Sequence, residues 1–486
     1  MSNPPPAGPS QSQPQSQQSQ TEAQPQQQPQ QQQPPPPPPQ HGGGGGGGNG
    51  GGNNTNNISN PALDTLINEI TTATNILQLN KHLRSFTQSE SREMILGSCM
   101  SGGRDPLLVL DVHRHTLGYL YLLSARFSYA SVNVPNLPLV AEFCRGFDPA
   151  QARLAPDRVT MLAKGIVQAA EHSNILSAII PPLFDLVTRY PPTRSHLTTL
   201  HPIFLRTCVS TRHFSSALPV LSYPITSIDT SLSDLTYNDH LVYHYAGGMA
   251  LAALKRWADA EEFFEICVSA PAQAPAAVQM EALKKLTLVQ LILYGKTKSV
   301  PKYTNQGLVR LLKSSPYGGL VRAYPSDQDT LNATLEKEEK LFTTDRNIGL
   351  LKQTMERAPR WRIKKLTETY ITLSLHEIGR NIGIADVTRV RAMVLSMIED
   401  NDIHATISAD GTVTFDDPVP EYTKAQVEQV LAEAQAQTFH LAELDRAVGR
   451  SKEFLHKALK NKDDGAWGGE DLMGEKGASW AEEPLF

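Results

Sequence analysis

The chain has only four cysteines in 486 residues: Cys99, Cys144, Cys208 and Cys267. No C-x-x-C pair occurs among them, which excludes a clustered zinc site and a disulfide framework. Buried, reduced thiols in an intracellular protein are the expectation. No window of roughly 18 uninterrupted apolar residues appears, so no membrane-spanning helix is expected. The opening residues lack the basic stretch and apolar run of a signal peptide. No G-x-S-x-G elbow and no phosphate-binding loop is present. Charge is almost absent from residues 1–63, where Glu22 stands alone.

What fills that opening stretch is Pro, Gln, Ser, Gly and Asn, with Pro34–Pro39 and Gly42–Gly48 as homopolymer runs. It has almost no apolar surface to bury, so ordering it is uncompensated, and residues 1–60 are expected to be a disordered tail. The glycine run matches G-x-G-x-x-G trivially. No strand precedes it and no helix follows, so dinucleotide binding is excluded. The remaining chain is long enough for a large core. Its balance of 44 basic and 49 acidic residues, net −5, suits protein partners and gives no global drive toward nucleic acid.

Residues 61–236 read as helices separated by prolines. Apolar clusters at Leu107–Leu110, Leu117–Leu123, Ile175–Ile180 and Leu183–Val187 are divided by turn signals such as Pro181-Pro182, Pro191-Pro192 and Pro224. The pattern sharpens over residues 237–360. Ala246, Met249, Ala250, Ala253 and Leu254 follow helical spacing, and Ala260, Phe263, Phe264, Cys267 and Val268 repeat it. Joined by Lys255-Arg256-Trp257, they form an antiparallel helical hairpin. Gly248, Ala260 and Phe264 fall near tetratricopeptide offsets. One hairpin cannot bury its apolar face, so neighbours must stack on it. Glu281–Tyr294, apolar nearly all round in its second half, is such a neighbour.

Residues 361–420 change texture. Arg362–Thr369 reads as a short helix and Tyr370–Thr372 as a short strand. Leu375, Ile378 and Ile382 mark a helix stopped by Gly383, and Val387, Val390, Val394, Met397 and Ile398 mark another. Ile403, Ala405 and Ile407 then alternate with polar residues, Asp410-Gly411 turns the chain, and Val413 and Phe415 alternate again. Helix, strand, helix, helix and hairpin in that order make a winged helix. The wing, Ile403–Ser408 with Thr412–Phe415, is expected to be two-stranded with open edges. Ile403, Ile407, Thr412 and Thr414 are its candidate protein-contact residues, because an open edge templates another chain's strand.

A long helix is expected from Ala425 to Leu459, within residues 421–460. Thr423 with Gln426 forms its capping box. Val427, Val430, Ala434, Leu441, Leu444, Val448, Leu455 and Ala458 make a seam at 3–4 spacing, with Gln437 and Ser451 the exceptions. Such a seam wants partner helices, so Val427, Val430, Leu441, Leu444, Val448 and Leu455 are candidate contacts. Residues 461–486, Gly-rich and acidic with Trp467 and Trp480, read as a flexible tail. The fold class is mostly α: a helical-repeat solenoid ending in a winged helix, then a long C-terminal helix.

Catalytic patterns fail on inspection. His240 and His244 stand four apart, but Leu241 replaces the glutamate of a zinc-peptidase helix, so both read as helix-surface histidines. His113-x-His115 has the start of a metallo-isopeptidase motif. The required Ser and Asp positions hold Leu123 and Arg126 or Phe127, so a zinc ion would lack an acidic ligand. The candidate recognition helix Ala385–Asp400 sets Arg389 and Arg391 against Asp386, Glu399 and Asp400, a poor fit to phosphates. The run Arg357, Arg360, Arg362, Lys364 and Lys365, with Trp361, argues the other way. It reads as a solvated helix start or as the mate of an acidic protein surface.

Helical repeats running into a winged helix resemble the PCI-domain family, shared by scaffolds of the proteasome lid, the signalosome and initiation factor three. Over residues 237–415 the wording is similar to the signalosome branch. Glu281-Ala282 with Lys284-Lys285, Leu288-Val289, Leu291-Ile292-Leu293, Gly295-Lys296 and Pro301-Lys302-Tyr303-Thr304 carry this resemblance. Asp345, Asn347, Gly349-Leu350, Lys352-Gln353, Leu366-Thr367, Thr369-Tyr370, Thr372-Leu373-Ser374-Leu375 and Met397-Ile398-Glu399-Asp400 continue it. Residues 61–236 resemble the family only in being helical. The resemblance implies a non-catalytic scaffold in the assembly that removes the ubiquitin-like modifier Nedd from cullin–RING ubiquitin ligases. Its zinc isopeptidase lies in another subunit. Sister PCI subunits would dock on winged-helix edges and in a bundle of C-terminal helices, in nucleus and cytoplasm. No cofactor, metal, small-molecule substrate or membrane is expected. A proteasome-lid subunit is the nearest rival, and a nucleic-acid-binding winged helix a more distant one.

Overall fold

The computed structural model describes residues 61–87, 89–128, 137–272, 274–416 and 422–464. The expectation for the tail at 1–60 lies outside the described residues, as does that for 461–486 beyond Asp464; residues 461–464, read as the start of that tail, instead end the helix Lys452–Asp464. From Pro61 onward helices succeed one another. The helix Thr116–Ser128 has no polar face, and it is buried without a break from Thr116 to Arg126. Two guanidiniums enter this core with their own carboxylates. Arg126 pairs with Asp105, and Arg158 reaches both oxygens of Glu93 at 2.6 and 2.7 Å. Burial alone would raise the Glu93 carboxyl; the hydrogen bonds and charge of Arg158, with Arg92 beside it, outweigh that and hold it below the usual range.

Pro181-Pro182 marks a division as expected: the short helix Leu176–Ile179 ends and the helix Ile180–Arg189 begins there, with the pair in its first turn, where a missing N–H has no intrahelical acceptor to disappoint. Near it, two-residue strands β1 (His196–Leu197) and β2 (Ser227–Ile228) pair in parallel.

The expected hairpin is present as Tyr237–Ala253 and Trp257–Ser269. Its helices approach closely because of Gly247 and Gly248. A Cβ added at either would lie 2.7 Å from the ring of Phe263 or Phe264, respectively. The helix Ala277–Tyr294 stacks on the hairpin and is buried from Lys285 through Ile292. It ends at Gly295, whose φ of +69° closes a left-handed cap. Trp361 packs there, 2.7 Å from where a Cβ would stand, and its indole N–H donates to the Ile292 carbonyl at 3.2 Å.

The helix expected to start at Arg362 begins at Ile348 and runs to Thr367. Pro359 inside it masked that continuity, because proline cannot donate to the carbonyl four residues back. This helix serves two cores. Leu351 and Ala358 pack with Leu288, Leu291, Tyr317 and Phe342. Ile363 belongs to the winged-helix core with Leu375, Ile378, Val390, Val394 and Val413.

The winged helix itself comprises Leu375–Ile382, stopped by Gly383 at φ +75°, and Val387–Glu399. Three strands complete it: β3 (Thr372–Ser374), β4 (Ala405–Ile407) and β5 (Thr412–Phe415), in the order β3-β5-β4. Both ladders are antiparallel.

Candidate functional site

The wing differs from its sequence reading in one decisive respect. β5 lies between the other strands, pairing Thr412 with Ser374 and Thr414 with both Thr372 and Thr406. Thr412 and Thr414 are therefore interior ladder residues, and their expected edge role is withdrawn. Ile403 is 5 % exposed and belongs to the wing core, so it too is removed from the contact set. Ile407 is half-buried on β4, an outer strand. The reason for the error is length. Three residues of β3 are too few for alternation to show, so nothing in the sequence revealed that this strand crosses to the wing.

The open edges are β3 and β4. On β4, Ser408 donates to Thr412, and the His404 carbonyl accepts from Asp416. By strand alternation the amides of Ala405 and Ile407 then point away from β5. On β3, Leu375 donates to Gly411 and the Ile371 carbonyl accepts from Phe415, so the Thr372 amide points outward. Beside that edge Tyr370 and Ile371 are 44 % and 78 % exposed. The β-branched run at 370–372 was the signal for them, but it was read as a strand rather than as a surface.

The terminal helix is Lys424–Arg450, capped as expected. The Thr423 hydroxyl accepts from the Gln426 amide at 3.3 Å, and the Gln426 side-chain oxygen accepts from the Thr423 amide at 2.9 Å. It is shorter than expected, because the backbone turns extended at Ser451. That hydroxyl accepts from the Phe454 amide at 3.2 Å and starts a second helix, Lys452–Asp464. Ser451 was an exception in the seam, and that exception marks the break. Leu455 thus stands on a different helix from the rest. No residue of Lys424–Arg450 is buried. Val427, Val430, Leu441, Leu444 and Val448 are all exposed, and Leu431 and Phe439, absent from the seam as read, join them.

The three arginines of the basic run are engaged within the chain, while Lys364 and Lys365 stay exposed. Arg357 lies 2.8 Å from Asp402, and Arg360 lies 2.6 Å from Asp400 and 3.2 Å from Asp402. Arg362 donates to Gln328 at 3.2 Å. Arg357 and Arg360 tie the helix Ile348–Thr367 to the end of Val387–Glu399, and for these two the acidic surface is this chain's own.

His240 and His244 are also corrected. His240 is half-buried and His244 is buried, only 6 % exposed; the His244 ring centroid lies 4.4 Å from that of His240, and the His244 Nδ1–H donates to the His240 carbonyl at 3.0 Å. Burial pushes His244 down to about 4, which keeps it neutral. His115 Nδ1 accepts from the Asp111 amide at 3.2 Å. Among the described residues no group of three His, Cys, Asp or Glu side chains is placed to hold a metal ion.

Several residues that carried the family resemblance meet in space. Lys285 Nζ donates to Asn347 Oδ1 at 2.7 Å, Asn347 Nδ2 donates to the Tyr317 hydroxyl at 2.8 Å, and that hydroxyl donates to Asp345 Oδ2 at 2.9 Å. Lys284 pairs with both Asp345 and Glu281, at 2.9 and 2.7 Å. The chain of bonds fastens the repeat helix Ala277–Tyr294 to the start of Ile348–Thr367.

Comparison with known proteins agrees with this architecture. Residues 78–308 match the family described as COP9 signalosome complex subunit 3, N-terminal helical repeats, and residues 321–417 match the PCI domain. A COP9 signalosome complex subunit 3 from Dictyostelium discoideum is 30% identical over 369 residues, covering 73% of this chain and 88% of that protein. The chain belongs to the COP9 signalosome complex subunit 3 family. A Drosophila melanogaster protein of the same name is 28% identical over 388 residues, covering 74% of this chain and 86% of that protein. The family match begins at residue 78, well before residue 237, where the wording resembled the signalosome branch. The N-terminal repeats had shown only that they were helical, because packing constrains their apolar pattern more than their identity.

Proposed function

We propose that this chain is a non-catalytic scaffold subunit of the COP9 signalosome. It supports removal of Nedd from cullin–RING ligases by holding neighbouring subunits in place. Its C-terminal helix enters a bundle with sister helices, and the open β3 and β4 edges accept sister strands. The observation that carries this is the helix Lys424–Arg450, whose apolar residues are all exposed. A helix of this kind gains its stability from a partner that covers the seam. Residence in both nucleus and cytoplasm belongs to the same reading. Among the described residues no helix is long and apolar enough to cross a membrane.

Deleting residues 426–486 tests it. The truncated protein is expected to keep its helical circular dichroism and cooperative unfolding while losing co-purification with sister subunits. Undiminished co-purification would remove the bundle from the proposal.

A further inference from the structure

From Gly295 to Ser326 the chain carries Lys296, Lys298, Lys302, Arg310, Lys313 and Arg322 and no carboxylate, although its net charge is −5. Of these six cations, only Lys298 has an ion pair among the described residues, with Glu261. The segment folds over a cleft of about 630 Å³ between the repeat helix Ala277–Tyr294 and the helices Gln306–Ser314 and Pro316–Ala323. Leu283, Leu286, Val300, Val309, Leu312 and Val321 form its apolar wall. Lys302, Lys313 and Arg322 stand at its margin, exposed and unpaired, and no carboxylate lines it. Apolar walls with uncompensated cations at the margin suit an occupant that has bulky apolar groups set among carboxylates.

The chain holds such a segment. Residues 470–486 contain Glu470, Asp471, Glu475, Glu482 and Glu483 against the single base Lys476, and their apolar groups include Leu472, Met473, Trp480 and Phe486. We propose that this acidic segment docks in the cleft of its own chain, with Trp480 against the apolar wall and the carboxylates facing Lys302, Lys313 and Arg322. Fifteen residues lie between Asp464 and Trp480, so the sixteen steps give an extended reach of up to about 55 Å. Tethering makes the encounter intramolecular and concentration-independent. The docking does not rest on the signalosome reading.

The test uses the full-length chain carrying Trp480→p-benzoylphenylalanine, irradiated at nanomolar concentration and mapped by mass spectrometry. Cross-links are expected within one chain, to residues 283–322. Their yield should fall at least fivefold in 0.5 M NaCl, since exposed ion pairs are screened at that strength. It should fall similarly in Lys302→Glu/Lys313→Glu/Arg322→Glu. Should that variant fail to fold, the salt series and competition by a synthetic 468–486 peptide use the unreversed chain and stand alone. Cross-links absent, mapped elsewhere, joining two chains, or indifferent to salt and peptide would overturn the proposal.

Discussion

Lys285 shows how a single buried cation can make stability depend on pH. It is 7 % exposed, faces Asn347 and the ring of Tyr245, and burial pushes its ammonium down to about 8, with Glu281 and Asp345 offsetting only part of that effect. Below about pH 8 the group is charged in the folded and the unfolded chain alike. Between about 8 and 10.5 the unfolded chain keeps its proton and the folded chain releases it. The unfolded state then binds more protons, so stability rises with pH through that window. Lys285→Met should lack this rise. From pH 7.5 to 9.5 the parent chain is expected to gain roughly 2 kcal/mol relative to the variant in urea unfolding. Parallel pH profiles would show that the ammonium is better solvated than its burial suggests. Lys284, Lys285, Asp345 and Asn347 stood out in the sequence as scattered family wording; in the structure they form one polar chain joining two helices.

At the scale of elements, the wing and the terminal helix present different kinds of contact. A strand edge offers directional amides, whereas an exposed seam offers apolar area. Ala405→Pro removes an outward amide of β4 without breaking its ladder to β5, because the bonded residues there are His404, Thr406 and Ser408. It is expected to leave Tm within a few degrees and to weaken co-purification of one sister subunit only. Thr414→Pro lies inside the sheet and should instead destabilise the wing, by about 1–3 kcal/mol for a disrupted buried ladder. Thermal unfolding and pull-down of both variants separate the two strands' roles. Equal loss of stability in both would show that β4 is already covered.

For the whole molecule, the helix Ile348–Thr367 is shared between the core of the repeats and that of the wing. One end is held in the core around Tyr317 and Phe342, and the other supplies Ile363 to the wing core. Arg357 and Arg360 lock it to Asp400 and Asp402. Arg357→Ala with Arg360→Ala should loosen this lock, costing about 1–2 kcal/mol locally. Hydrogen exchange in residues 375–415 is expected to speed up while residues 116–128 stay protected, since local opening follows the contacts removed. Uniform exchange changes across both regions would mean that repeats and wing unfold as one unit.

Period and turn chemistry made much of this fold readable. The hairpin at 237–269, the glycine stop at Gly383, the Asp410-Gly411 turn and the Thr423–Gln426 cap are local features, and each appears where its residues place it. The terminal helix was readable for the same reason, but not its end at Arg450, because apolar spacing continues across the break at Ser451. Tertiary structure alone decided three other matters. It made β5 an inner strand by bringing in β3 from some forty residues away in sequence. It paired Arg357 and Arg360 with Asp400 and Asp402 of the same chain, and it buried His244. Each depends on which distant segments meet, and a pattern of residues along one segment carries no information about its partner across space.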